Sequence, residues 1–88
     1  MPIFDDIKIK LRSTNKRKFK SIITKKKVLI MVPKSITGDD RLTALGLLRF
    51  ASMNTIGTEP KLYATYSFKK KRVVVKNKNN KTIAKYKN

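Results

Sequence analysis

The sequence predicts an α+β fold, in which an antiparallel sheet of about five or six strands packs on one central helix at about residues 39–54. Short stretches of alternating apolar and basic residues lie at both ends of the chain, and such alternation is typical of half-buried strands. Residues 38–60 between them sum to a net charge of −1, whereas residues 1–37 and 61–88 sum to +9 and +10. The predicted organisation is therefore a nearly neutral apolar helix between two basic, strand-rich arms.

Length and composition predict a single small basic domain over residues 1–88, with residues 77–88 as a basic C-terminal tail or edge strand. A chain of 88 residues buries only about 60–65% of its unfolded surface, so its core is marginal. The chain has no cysteine, which excludes disulfides and fits a reducing compartment. Without an apolar leader or an apolar run long enough to span a bilayer, we expect an intracellular or virion protein that is not secreted.

The first part of the chain predicts two or three strands. Residues 7–12 alternate without exception between apolar and basic side chains, which predicts a strand with one cationic face. Residues 19–24 predict a second strand, paired with the first as a hairpin across the charged turn at 13–18. The apolar run 28–32, ended by Pro33, predicts a central strand covered on both faces. Whether residues 19–32 form one bent strand or two is left open by the sequence.

The central helix is predicted from Thr37 or Asp39 onward. Thr37 with Asp40 three residues later resembles a capping box, and both aspartates lie where the helix dipole favours negative charge. Apolar residues occupy almost the whole circumference of this helix, which is more than one sheet covers. We therefore predict that the helix also forms the interface of a homo-oligomer. The predicted interface residues are Leu42, Leu45, Leu47, Leu48, Phe50 and Met53.

The last part of the chain predicts a second hairpin. Residues 61–68 alternate clearly, residues 72–76 form the next strand, and the basic segment 69–71 is the turn between them. Residues 77–81 are a polar turn of residue types that tolerate positive φ. A short edge strand at 82–86 is the predicted end of the fold.

The residue types exclude most catalytic chemistry. With no histidine and no cysteine, the commonest general base, the commonest thiol nucleophile and most zinc sites are ruled out. The only acid pairs, at 5–6 and 39–40, consist of adjacent carboxylates that diverge on a strand or a helix. Residues 33–38 with Lys34 are interpreted as a loop leading to the helix rather than a phosphate cradle. We predict no catalytic residues, no metal, no cofactor and no small-molecule substrate.

The net charge of +18 is far above what solubility requires, which is about 2–8 for a small domain. It favours a polyanionic partner, with nucleic acid, RNA or DNA, as the leading candidate. The 18 lysines outnumber the five arginines, which favours point-charge contact with phosphates over reading of bases. Tyr63 shares the face of its strand with polar residues, which makes it a candidate platform for base stacking. The predicted binding residues are Lys8, Lys10, Arg12, Lys16, Arg17, Lys18, Lys25, Lys26, Lys27, Tyr63, Lys69, Lys70, Lys71, Arg72, Lys76, Lys78, Lys81 and Lys85.

The function predicted from the sequence is a noncatalytic, largely sequence-nonspecific nucleic-acid-binding protein that self-associates, such as a nucleocapsid, virion or nucleoid component. One alternative is a structural component of a larger particle, such as a ribosomal or capsid-lining protein. A second is a small histidine-free nuclease or toxin. Binding to a membrane surface is the least favoured, because no basic amphipathic helix is present.

Overall fold

The computed structural model describes residues 8–87, and over that range the chain forms six strands and one helix. The predicted α+β fold with one central helix is confirmed. Asp5, Asp6 and Ile7, which the sequence analysis assigned to an acid pair and to the start of the first strand, lie outside the described residues. The elements are β1 (Lys8–Thr14), β2 (Lys20–Ile23), β3 (Lys27–Pro33), α1 (Gly38–Thr55), β4 (Leu62–Ser67), β5 (Arg72–Asn77) and β6 (Thr82–Lys87).

The six strands form one mixed sheet with the order β1-β3-β2-β4-β5-β6. Strands β1 and β3 are parallel, and every other neighbouring pair is antiparallel. The sheet is therefore not purely antiparallel as predicted. The prediction of an N-terminal hairpin between the first two strands is also wrong, because β3 lies between β1 and β2.

The central position of β3 agrees with its composition, because it carries the longest apolar run of the first three strands. Only one of its faces is covered, since burial alternates along the strand and Leu29 and Met31 are half-buried on the side away from the helix. The predicted cover on both faces is therefore wrong. A tight turn joins β2 to β3, with the Thr24 amide donating to the Lys27 carbonyl over 2.9 Å. Strand β2 thus occupies one edge of β3 and leaves the other to β1. The question that the sequence left open is also answered, since β2 and β3 are two separate strands.

The C-terminal half forms the predicted meander of β4, β5 and β6, with β6 at the edge of the sheet. The turn between β4 and β5 contains Lys71 at a φ of 52°, and the turn between β5 and β6 contains Asn80 at 65°. In the second turn, the Asn77 side-chain oxygen accepts hydrogen bonds from the amides of Asn79 and Lys81 at 2.9 and 3.1 Å. Asparagine is well suited to this geometry, because it tolerates the left-handed region and bonds its own backbone.

Helix α1 packs across β2, β3, β4, β5 and β6 on one face of the sheet. The small side chains of Ala44 and Ala51, with Leu48 between them, are fully buried and bring the helix close to the strands. Thr37 is the N-cap residue, but its side chain makes no capping hydrogen bond, so the predicted capping box is wrong. Within residues 8–87, no helix is long and apolar enough to cross a membrane.

The wide sheet covers more of the helix than the sequence suggested. Leu45, Leu47 and Leu48 have exposures of 9%, 8% and 0%, so half of the predicted oligomer interface belongs to the core of the chain itself. The exposed members of that set are Leu42 and Phe50, at 68% and 56%, while Met53 is half-buried. Phe50 also contacts Tyr86 on β6 edge to face, with the ring centroids 5.6 Å apart. The helix flanks are buried because five neighbouring strands, from β3 to β6 in the order of the sheet, pack against the helix.

Two fully buried serines connect the helix to the sheet. The hydroxyl oxygens of Ser21 on β2 and Ser52 on α1 lie 3.0 Å apart, and both residues have 0% exposure. Removing one hydroxyl leaves the other without its partner in an apolar core, which costs about 1–3 kcal/mol. We predict this loss in the free energy of unfolding for Ser52→Ala, measured by urea denaturation. The double variant Ser21→Ala/Ser52→Ala is expected to be more stable than either single one, and additive losses would contradict this account.

Candidate nucleic-acid interface

The face of the sheet opposite the helix is open in the described part of the chain. Because side chains alternate along each strand, the strand residues that do not face α1 lie together on this surface. Its apolar members are half-buried, so they lie level with the sheet rather than projecting from it. They are Ile22, Leu29, Met31 and Val74. We call this surface the open face.

The open face carries basic side chains on five of its six strands, and only β4 contributes none within its own bounds. Strand β1 places its three cations beside Lys27, Leu29 and Met31 of β3, with Lys8 paired directly to Lys27. On the other side, Lys76 pairs with Tyr63, Lys85 with Val74, and Lys87 with Arg72. The cations assigned to the open face by register are Lys8, Lys10, Arg12, Lys20, Lys27, Arg72, Lys76, Lys85 and Lys87. Cations and half-buried apolar side chains thus alternate over one continuous surface.

A shallow depression of about 750 Å³ lies on this face over β2, β4, β5 and β6. Tyr63, Thr65 and Val74 line its floor, and Lys20, Lys76 and Lys85 are among the basic residues around them. None of the described residues that line it is acidic. The depression therefore combines hydroxyl-bearing and apolar side chains at its centre with basic side chains around them.

Tyr63 is the aromatic residue of the depression and is half-buried. The Lys20 Nζ lies 5.2 Å from its ring centroid and the Lys61 Nζ lies 5.5 Å from it. Both distances are within the range of cation–π attraction. The face of a π-system and two ammonium groups therefore occupy one small region.

Arg72 lies at the same face, on β5 opposite Ser67 of β4 and Lys87 of β6. Its Nε is buried and has no hydrogen-bond partner. A guanidinium presents donors in a planar fork that fits the oxygens of phosphate or carboxylate. The side chain lines the depression and is half-buried, so its guanidinium, though not its buried Nε, is available to an anion there.

The basic turns lie along the two ends of the open face. Since Lys20 pairs with Thr65 and Ile23 with Leu62, the turn at 15–18 and the turn at 68–71 are at the same end of the sheet. The turns at 24–26 and 78–81 are at the opposite end. The predicted cations Lys16, Arg17, Lys18, Lys69, Lys70 and Lys71 belong to the first end, and Lys25, Lys26, Lys78 and Lys81 to the second.

The acidic residues of the helix are separated from the open face. Asp39 and Asp40 lie in the first turn of α1, on the other side of the sheet. There, Asp40, Thr43, Tyr66, Phe68 and Lys71 line a small helix-side groove. Burial, and to a lesser extent the negative charge of Asp40, raises the pKa of Tyr66. Lys71 lines this groove, so this predicted binding residue lies on the helix side of the sheet.

Two basic residues beside the Tyr63 ring were missed by the sequence analysis. Lys20 lies on β2 beside Tyr63 and Thr65, and Lys61 directly precedes β4. The alternation of Phe19, Lys20, Ser21 and Ile22 contained the signal for Lys20, because a buried phenylalanine places its neighbour on the opposite face. The predicted binding residues were chosen mainly from runs of basic residues, which lie in the turns, so these isolated lysines were left out.

Within residues 8–87, no group of three or more histidine, cysteine, aspartate or glutamate side chains is placed to hold a metal ion. Comparison of the chain with protein-family models, with curated proteins and with solved structures finds no match.

Proposed function

We propose that this protein is a noncatalytic nucleic-acid-binding protein that uses the open face of its sheet. The observation that carries the proposal is the composition of that face. Cations from five strands lie around Tyr63 and the half-buried apolar side chains. Phosphates require positive charge, and bases require flat apolar or aromatic contact. A nucleic acid is the polyanion that presents both chemistries at short, regular spacing.

A lipid surface fits this face less well. Binding at a bilayer interface uses a basic amphipathic helix whose large apolar side chains enter the acyl region. The apolar residues of the open face are half-buried in the sheet and do not project beyond the lysines. The one helix of the described chain begins with two aspartates and packs on the opposite face.

The proposed binding is largely independent of sequence. Reading of base edges relies on bidentate groups such as arginine, asparagine and glutamine, whereas lysine is a flexible point charge. Lysine makes up most of the cations of the open face, with Arg12 and Arg72 as the exceptions. Affinity from such contacts comes from counterion release and falls steeply with salt.

We extend the proposal to assembly on the nucleic acid, as in a nucleocapsid or nucleoid component. The exposed apolar residues Ile9, Leu11, Leu42 and Phe50 provide contact area. A net charge of +18 opposes association of free subunits, and a polyanion removes that repulsion. Light scattering is expected to show monomers for the free protein and larger species once a long strand is added.

The test is a binding titration with fluorescent RNA and DNA of random sequence, repeated over a range of salt concentrations. If six to ten phosphates are contacted, affinity is expected to fall by roughly 10³–10⁵ between low and moderate salt. The same samples, examined on denaturing gels after incubation with Mg²⁺, are expected to show intact strands. Absence of binding at low salt would contradict the proposal, and cleavage would favour the alternative of a histidine-free nuclease.

A further inference from the structure

Resting on the proposed function, we infer that the depression on the open face binds a single strand, with one base stacked on the Tyr63 ring and a phosphate held by Arg72. Three features of the open face carry it: the half-buried Tyr63 ring among lysines, the half-buried Arg72 side chain, and the continuous depression that both residues line.

The position of Tyr63 in the sheet provides a platform for a base. Its neighbours on the adjacent strands are Ile22 of β2 and Lys76 of β5. An aromatic ring supported by an apolar neighbour and surrounded by cations is the arrangement that binds single strands without sequence preference. The fully buried rings of the core, such as Phe19, are on the other face and inaccessible to a base.

The lysines near the ring do not prevent stacking. A cation–π contact at an exposed site contributes a factor of about 2 to 5 to an equilibrium constant, whereas stacking of a base on an aromatic ring contributes about 5 to 150. A base therefore displaces an ammonium group from the ring. The displaced Lys20 or Lys61 remains within reach of the phosphates on either side of that base.

Arg72 supplies a second fixed point for the same strand. Its partner on β4 is Ser67, four residues beyond Tyr63, which corresponds to about 13 Å along a strand. The side chain lines the depression and is half-buried, and the guanidinium is a planar fork of donors that fits phosphate. A phosphate oxygen accepts from this fork and also carries the charge that the guanidinium requires.

A duplex cannot use these groups in the same way. In a duplex the bases are paired and stacked inside the helix, so a ring level with the sheet cannot reach their faces without unpairing them. Only the phosphates of a duplex would contact the protein, through the lysines of the turns. Stacking on Tyr63 therefore distinguishes a single strand from any other polyanion.

The experiment compares the unmodified protein with Tyr63→Leu and Tyr63→Phe on three probes. These are an oligothymidylate of about 12 nucleotides, within the site size of small single-strand binders, a duplex of the same length, and linear polyphosphate. Tyr63→Leu is expected to weaken binding of oligothymidylate about 5- to 150-fold and to leave binding of polyphosphate unchanged. Tyr63→Phe, which keeps the ring, is expected to bind like the unmodified protein.

A second readout is independent of any loss of affinity. The chain has no tryptophan, so Tyr63→Trp introduces a single tryptophan at the proposed platform. Its emission is expected to be quenched by oligothymidylate and not by polyphosphate. Equal weakening of all three probes by Tyr63→Leu, or no weakening of any, would overturn the inference while the proposed function stood. Failure of the unmodified protein to bind any probe would overturn the proposed function itself.

Discussion

Replacing Lys20, Lys76 and Lys85 together with glutamine is expected to weaken binding of a single-stranded oligonucleotide roughly 100-fold at 0.1 M salt. The three lysines lie around the depression on three different strands. Each phosphate contact to a single strand contributes about −0.7 to the slope of log affinity against log salt. The slope of the variant should therefore be shallower by about 2, as measured by fluorescence anisotropy over a salt series.

The matched control removes three charges that lie outside the depression. Lys34→Gln, Arg49→Gln and Lys71→Asn change residues of the loop before the helix, the helix, and the helix-side groove. Asparagine is chosen at Lys71 because φ there is 52°, which asparagine tolerates well. Both triple variants have the same net charge, so a similar loss of affinity in both would mean that overall charge, rather than the open face, controls binding.

Replacing Phe19 with alanine is expected to lower the free energy of unfolding by about 3–5 kcal/mol. Phe19 has 0% exposure and meets Phe68 edge to face, with the ring centroids 5.7 Å apart. Its carbonyl also accepts a hydrogen bond from the Tyr66 amide at 3.1 Å, which extends the β2–β4 ladder. Domains are stable by about 0.05–0.15 kcal/mol per residue, so a loss of this size removes a large part of the stability of this chain.

Phe50→Ala provides the matched comparison, because it deletes the same atoms from a ring that is 56% exposed. Its edge contact with Tyr86 is expected to be worth about 0.5–1.5 kcal/mol beyond simple burial. Urea denaturation should give Phe19→Ala a free energy of unfolding well below that of Phe50→Ala. Equal losses would mean that the core is not centred where β2, β4 and the helix meet.

The elements that the sequence predicted correctly are those whose own residues decide their structure. The alternation along 61–68 and the β-branched run at 72–76 were enough to predict β4 and β5, and the neutral apolar segment was enough to predict α1. The asparagines at 77–81 were enough to predict the turn there, because asparagine satisfies a turn through its own side chain. Local pattern and final structure agree in these segments.

The order of the strands could not be predicted in the same way, because it depends on competition between elements. Residues 7–12 and 19–24 are consistent with a hairpin, and nothing within either segment shows that β3 takes the place between them. The prediction of how much of the helix remains uncovered failed for a related reason. Leu45 and Leu47 lie on the flanks of α1, and only the breadth of the finished sheet decides whether those flanks are buried.

The candidate site was predicted in composition and only partly in position. Most of the basic residues were identified, but the emphasis on basic runs assigned the binding mainly to the turns rather than to the strands. The register of the strands is what places Lys20, Tyr63 and Lys76 side by side. Arg72 was predicted as one member of a basic cluster, whereas its unpartnered Nε became visible only with the packing of its neighbours.

The most direct test of the central claim is to map the bound surface residue by residue. Amide resonances of the labelled protein would be followed by heteronuclear NMR as a short single-stranded oligonucleotide is added at low salt. The largest shifts are expected on β2, β4, β5 and β6 around Lys20, Tyr63 and Lys76, with little change along the outer side of α1 near Leu42 and Gly46. Shifts centred on the outer side of the helix, or the absence of any shift, would contradict the assignment of the open face as the nucleic-acid interface.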